Sequence, residues 1–384
     1  MMLVSVISYI DRSTLAVLIP SIMRDTGMTA TQYGWIVSGF SFGYMAGNPL
    51  WGIVLDRAGL RLGMLAAVSL WTLASVSHAL LAGAAGFLIA RIILGFGEGA
   101  TFPGALRTCV QTLDPASRGR GIALSYSGGS LGAIITPFIV TPIYLHYGWR
   151  AAFWFTGFVG AAWLLWWLFI SRRVDIQRPP DSTAARPRIS FRDSRIWAFI
   201  AIYSLGTVPL AFVVNMTSVF LTRKFGLTQA ELGHLLWIPP LGWELGYFFW
   251  GWHLDRRLRA APSTAALGVY AGIFLLGLAL VLPFAAVFAS SSLPLTLALF
   301  FTTMFAVGSF IIPAVSYATV AFGERQSGLI GGLGAGSFSA SAFVLSPIFG
   351  KLLDQQAYHV AFPLAAACPI AGLLLWRFLS ARSA

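Results

Sequence analysis

Charge is what this chain of 384 residues has least of. Asp, Glu, Lys and Arg together make up 10% of it, where a soluble domain carries about a quarter. A chain so poor in charge and 57% hydrophobic belongs in a membrane. Cysteine is scarce as well: Cys109 and Cys368 stand far apart in apolar runs, without metal-ligand spacing, and read as small core residues. The five histidines (78, 146, 234, 253 and 359) are scattered, mostly near the ends of apolar runs, and carry no assigned chemistry. H-E-x-x-H is missing, which argues against an intramembrane metalloenzyme. A sensor usually adds a soluble domain, and no polar segment here is long enough to form one. The first apolar stretch has no basic n-region and is long enough to span, so a span is expected there and not a cleaved signal peptide.

What the chain does have is apolar length. Runs of roughly 20 residues, enough to cross a bilayer, recur twelve times: near 2–23, 31–54, 62–82, 86–109, 120–144, 149–170, 196–221, 230–252, 263–287, 293–318, 328–350 and 359–380. The one long polar segment, 171–195, is rich in Arg and Pro. It divides the chain into a first bundle (1–170), a basic cytoplasmic linker (171–195) and a second bundle (196–384). The expected fold is an all-α membrane protein of twelve transmembrane helices in two six-helix bundles.

The net charge of +12 would suit nucleic acid in a soluble protein. Here the basic excess is a topology signal. With both termini and the even-to-odd connections on the cytoplasmic side, 18 of the 25 basic residues lie inside. Arg24, Arg150, Arg223, Lys224 and Lys351 lie outside, and Arg12 and Arg91 stay within the membrane. The halves also repeat. A shift of 199 lays Gly43, Gly47, Trp51, Gly52, Leu55, Asp56 and Arg57 on Gly242, Gly246, Trp250, Gly251, Leu254, Asp255 and Arg256. Trp149 to Phe153 resembles Tyr358 to Phe362. Such duplication suits a transporter whose repeats rock about a midplane site.

The rare charges at membrane depth are therefore informative, since each costs roughly 2.5–3.5 kcal/mol at a helix centre on the mildest scale. Asp11 and Arg12 adjoin in span one. Arg91 and Glu98 sit seven apart in span four, on nearly one helix face and about 10 Å apart. Gly95, Gly97 and Gly99 allow a neighbouring helix to approach the acid closely. A buried lock of Arg with Glu or Asp, without a part in turnover, is the plainer alternative. Adjacent helical residues point about 100° apart, so Asp11 and Arg12 cannot share a face: one is expected to turn toward Glu98 and Arg91, the other toward a central cavity. An Arg fork matches a carboxylate in two hydrogen bonds, and burial and a neighbouring Arg act in opposite directions on a carboxyl. A proton-driven site for an organic anion is one outcome.

In the second half, span eight carries Trp243 and Glu244 after Pro239-Pro240; Trp243 is the repeat counterpart of Tyr44. Glu244 is read either as an acceptor for sugar hydroxyls or as a protonated packing group. Asn215, Tyr203 and Thr207 in span seven are possible polar contacts or helix bridges. Small residues in span five (Ser125 to Gly132) and span eleven (Gly331 to Ser339) predict close helix crossings.

The G-x-x-x-D-R-x-G-x-R loop at Gly52 to Arg61, with twelve spans and a basic central linker, resembles the major facilitator superfamily. The resemblance implies that Asp56, Arg57 and Arg61 form a conformational latch on the cytoplasmic side, with a degenerate copy at Asp255 and Arg256; topogenic charge alone is the alternative. Tyr9-x-Asp11-Arg12, Tyr44 and the Ala90-Arg91 to Glu98 run with Phe102-Pro103-Gly104 resemble the anion:cation symporter branch, whose bacterial members take up hexuronates and aldonates with protons. By that resemblance Asp11 and Glu98 are the proton-coupling acids, and Arg12, Arg91 and Tyr44 contact substrate. An acid before Leu-Gly at the place of Glu244 also occurs in hexuronate-type members. Ser8 departs from the family, where many members carry Asn, and the chain begins almost directly at its first span. The implied activity is proton-coupled symport of small organic anions; an antiporter exporting drugs or metabolites is the alternative, disfavoured because span five lacks the full Gly-Pro-x-x-Gly-Gly pattern. Expected are a monomer in the lipid bilayer of a bacterial inner membrane, no nucleic acid partner, no metal, and no cofactor beyond the coupling proton.

Overall fold

The computed structural model describes residues 1–177, 189–262, 265–323 and 326–381; Arg178, Pro179, Pro180, Arg186, Pro187 and Arg188 of the expected linker lie outside them. All secondary structure among the described residues is helical. Ten stretches are long and apolar enough to cross a membrane. One of them, Ala30–Leu80, runs for 51 residues, about twice what a single crossing needs. Its main helix α2 (Ala30–Ser77) is interrupted at Gly59, with φ 80° and ψ 165°. That left-handed backbone favours glycine and makes two spans of one helix at the expected loop.

The other spans follow the apolar runs. Span one is α1 (Met2–Thr26). Span four is split into α3 (Ala84–Glu98) and α4 (Thr101–Thr112). Then come α5 (Pro115–Tyr147), α6 (Trp149–Ile170) and a short α7 (Val174–Gln177). Span seven is split into α8 (Ser194–Gly206) and α9 (Val208–Phe225). Span eight is α10 (Gln229–Leu235) and α11 (Ile238–Ala260), broken at Leu236 and Trp237 because Pro239 and Pro240 have no amide hydrogen for the carbonyls of Leu235 and Leu236. This stretch is not among the ten most apolar helices, since it carries Glu231, Glu244 and a basic end. The chain closes with α12 (Ala266–Val281), a 3-10 segment Leu282–Ala289, α13 (Leu293–Phe322), α14 (Ser327–Asp354) and α15 (Tyr358–Ala381).

The residues sort into two compact units. The first holds the first half of the chain with Ser218–Trp237 and Phe343–Gly350; the second holds the remainder. Within the first unit, Ser218 donates to the carbonyl of Ala16, Gln229 bonds Ser21 and the Val17 carbonyl, and Ser38 donates to the Phe343 carbonyl at 2.7 Å.

The repeat seen in the sequence is a repeat of bonds. Thr29 caps α2 in a capping box with Gln32, and Thr228 caps α10 in the same way with Glu231, 199 positions on. The Trp51 indole donates to the Phe96 carbonyl at 2.8 Å, and the Trp250 indole donates to the Phe305 carbonyl at 2.8 Å. A Cβ at Gly43 or Gly47 would strike the carbonyls of Ile92 or Phe96; at Gly242 or Gly246 it would strike those of Phe301 or Phe305. Each unit thus seats one helix on the backbone of another through the same pair of glycines.

The small residues of α5 behave as expected, Gly128, Gly129 and Gly132 packing on Met2, Tyr9 and Val6 of α1. Those of α14 do so only in part. Gly334 meets Tyr203 and Phe199, while a Cβ at Gly331, Gly332 or Gly336 would enter open space.

Candidate functional site

The four charges singled out at membrane depth gather in the first unit. Glu98 is fully buried at the last position of α3, where the helix gives way at Gly99 and Ala100 before α4. Gly95 packs on the Phe40 carbonyl, Gly97 on Trp71 and Gly99 on the backbone of Gly47 and Asn48, so both spans of α2 close around the acid.

Arg12 and Ser8, one turn apart on α1, point at this carboxylate. Ser8 donates to Glu98 Oε2 at 2.9 Å and Arg12 Nη2 donates to the same oxygen at 3.0 Å. Glu98 Oε1 is buried with no partner. The Arg12 guanidinium is boxed by three rings, 4.5 Å from the centroid of Tyr9, 4.6 Å from Phe40 and 4.8 Å from Tyr44. Such contacts hold a desolvated cation by about 2 kcal/mol or more. The Arg12 side chain keeps 15% exposure while Glu98 has none. Tyr44 is 3% exposed, stacked on Phe40.

Asp11 turns away from this box. It lies 2% exposed inside the helix bundle and accepts from Ser75 Oγ of α2 at 2.7 Å; Ser75 is 2.9 Å from the hydroxyl of Thr156 on α6. Among the described residues no basic side chain comes within ion-pair distance of it. The expected division between the two adjacent residues is therefore realised with Arg12 on Glu98 and Asp11 buried behind it, not in a cavity. Arg91 is 2% exposed and makes one long bond, 3.4 Å from Nη1 to the Arg12 carbonyl, leaving Nε and Nη2 buried without partners.

The loop residues lie elsewhere in the same unit. Asp56 pairs with Arg107 of α4 at 2.8 Å, Arg57 is exposed, and the Arg61 carbonyl accepts from the Trp167 indole. In the second unit, Trp243 is buried with its ring edge-on to Tyr247, and Glu244 beside it on α11 is half-buried. Asn215 on α9 donates to the Ala211 carbonyl at 2.8 Å. Asp255 and Arg256 are exposed, and Arg256 lies over the Trp252 ring. The hydroxyls of Ser75 and Thr156 and the ring of Phe40 join the site although the sequence alone did not single them out.

Helix bundles with charges buried among apolar helices point to a membrane transporter, and the family gives the same class. The chain belongs to the major facilitator superfamily, whose family model matches residues 1–283. A hexuronate transporter of Bacillus subtilis (strain 168) is 31% identical over 240 residues, 62% of this chain and 54% of that protein, so the match spans about half the relative's length. A probable sulfoacetate transporter of Cupriavidus necator is 26% identical over 404 aligned positions, covering 99% of this chain and 92% of the relative. In fold, the chain matches a bacterial homolog of the human lysosomal transporter Spinster, solved in an inward-facing and occupied conformation, with a TM-score of 0.76 and 15% identity over 99% of this chain and 93% of that one.

Proposed function

We propose that this protein is a proton-coupled symporter of small organic anions, with sugar acids (hexuronates or aldonates) as its substrate class, working by alternating access. The observation that carries this reading is the state of Glu98: one oxygen is held by Ser8 and Arg12, the other is buried and empty-handed. A proton arriving on Oε1 neutralises the carboxyl and weakens its hold on Arg12. The Arg12 fork then has room for a substrate carboxylate, which it matches in two hydrogen bonds. Proton and anion thus enter as a pair. Asp11, hydrogen-bonded by neutral hydroxyls and in no ion pair among the described residues, is the second proton-coupling acid.

The relatives named for hexuronate and sulfoacetate support a small carboxylate-bearing substrate. Arg91 and Tyr44 complete the anion end of the site. Trp243, Glu244 and Asn215 are assigned to the hydroxyl-bearing end, and Asp56, Arg57, Arg61, Asp255 and Arg256 to the cytoplasmic latch. Both termini face the cytoplasm of a bacterial cell, and the protein works as a monomer.

Uptake of labelled galacturonate and gluconate into proteoliposomes tests the reading. An inward proton gradient is expected to drive accumulation above equilibrium. Accumulation driven by an outward proton gradient would instead make the protein an exchanger.

A further inference from the structure

His78 closes α2 at the end opposite Gly59, in a 3-10 turn His78–Leu80. It is fully buried although Leu80, two residues on, is 72% exposed. Its Nδ1 lies 2.7 Å from the Ala74 carbonyl. A carbonyl only accepts, so Nδ1 carries the hydrogen and Nε2 presents a lone pair. That lone pair is buried with no partner. The ring stacks on Phe153 at 5.0 Å between centroids and sits edge-on to Phe87 at 5.5 Å, which aims it inward.

The groups around it are unusually incomplete. On α2, Ser75 is the i−3 neighbour of His78, on the same helix face about 5–6 Å away, and it holds Asp11 of α1. On α3, Arg91 lies within electrostatic reach of both His78 and Asp11, with two donor nitrogens unfilled. Glu98 at the far end of α3 has an unfilled oxygen. On α6, exposed Arg150 lies over the Trp149 ring at 4.1 Å, and that indole donates to Asp25 of α1. Each buried polar atom without a partner carries a desolvation cost that nothing offsets. An acceptor at His78 within electrostatic reach of the unfilled donors of Arg91 suits an ordered water, which typically makes about three hydrogen bonds to such groups.

We propose that His78 is the proton relay of the first bundle, passing protons through ordered water to Asp11 and Glu98 along a route separate from the substrate's path at Arg12. This rests on the symport reading above. Because Nδ1 is tied to the Ala74 carbonyl, one nitrogen both takes and gives: Nε2 accepts a proton delivered by the ordered water beside it, forming the imidazolium. The same Nε2–H is then released through water to the Asp11 carboxylate, restoring the neutral ring and leaving Asp11 protonated. The like charge of Arg91 keeps the imidazolium a passing state.

The test uses the full chain in proteoliposomes with labelled galacturonate, comparing wild type with His78→Asn and His78→Phe. Asn retains a donor for the Ala74 carbonyl and Phe retains the ring packing, and neither offers Nε2. Gradient-driven accumulation is expected to slow at least about tenfold in both, in line with the loss of a positioned proton-transfer group. Its dependence on the size of the proton gradient should flatten, while substrate counterflow without a proton gradient keeps the wild-type rate. Wild-type accumulation by either variant would overturn the relay. Loss of counterflow together with accumulation would overturn it too, making His78 a packing residue. Failure of wild type itself to accumulate would instead bring down the symport reading.

Discussion

At the scale of single residues, the site sets one acid between two competitors. Glu98 Oε2 takes Ser8 and Arg12 while Oε1 has no partner, so a proton bound there would compete with Arg12 for the same carboxylate. Removing one member of a buried charged pair costs about 3–5 kcal/mol because the other is left uncompensated. Arg12→Ala is therefore expected to lower thermal stability in detergent as well as abolish transport. Ser8→Ala removes one hydrogen bond to a charge, about 1.5–3 kcal/mol; because it loosens the carboxylate without removing the cation, transport should survive with an altered pH dependence of uptake. The charged members of this cluster were legible in the sequence because charge is rare and costly at membrane depth. Ser75, Thr156 and Phe40 were not: hydroxyl and aromatic residues are common in apolar helices, and only the folded chain shows that Asp11 meets Ser75 across 64 positions.

At the scale of elements, the twelve spans were legible from apolar length, and their internal breaks fall next to prolines. The gap between α10 and α11 precedes Pro239-Pro240, and the breaks after Glu98 and Gly206 precede Pro103 and Pro209, which have no amide hydrogen for the carbonyls of Gly99 and Leu205. Only the folded chain shows the packing at the first break, where Gly99 settles against Gly47 and Asn48. Gly97→Val would drive side-chain atoms into Trp71, and the expected outcome is loss of folded protein in size-exclusion profiles. Thr29→Ala and Thr228→Ala each remove an N-cap worth about 1 kcal/mol, measurable as similar falls in melting temperature in both halves of the repeat. Asp193 caps α8 and is bonded by Arg195, whose hydrogen bonds hold its carboxyl below the usual range. A depressed carboxylate stabilises the fold above its unfolded pKa and loses that contribution as pH falls through its folded value. The start of α8 should therefore loosen only below about pH 4, seen as faster amide exchange there, and Asp193→Ala should show the loosened state at neutral pH.

At the scale of the whole molecule, duplication explains why two stretches of sequence build one bonding scheme. The indole bonds of Trp51 and Trp250 are the same contact made twice, but their partners Phe96 and Phe305 are offset by 209 and not 199. The second copy therefore carries about ten further residues between its second and fourth spans. What the copies do not share is charge: Asp11, Arg12, Arg91 and Glu98 all belong to the first, and Glu244 is the acid at membrane depth in the second. The first copy is thus assigned the proton and the anion, the second the remainder of the substrate. The most direct test of this account is simultaneous recording of proton and galacturonate flux in proteoliposomes for wild type and Glu98→Gln. The account predicts that wild type moves the two together, while Glu98→Gln exchanges galacturonate across the membrane without moving protons or accumulating substrate. Proton-coupled accumulation by Glu98→Gln at the wild-type rate would contradict it.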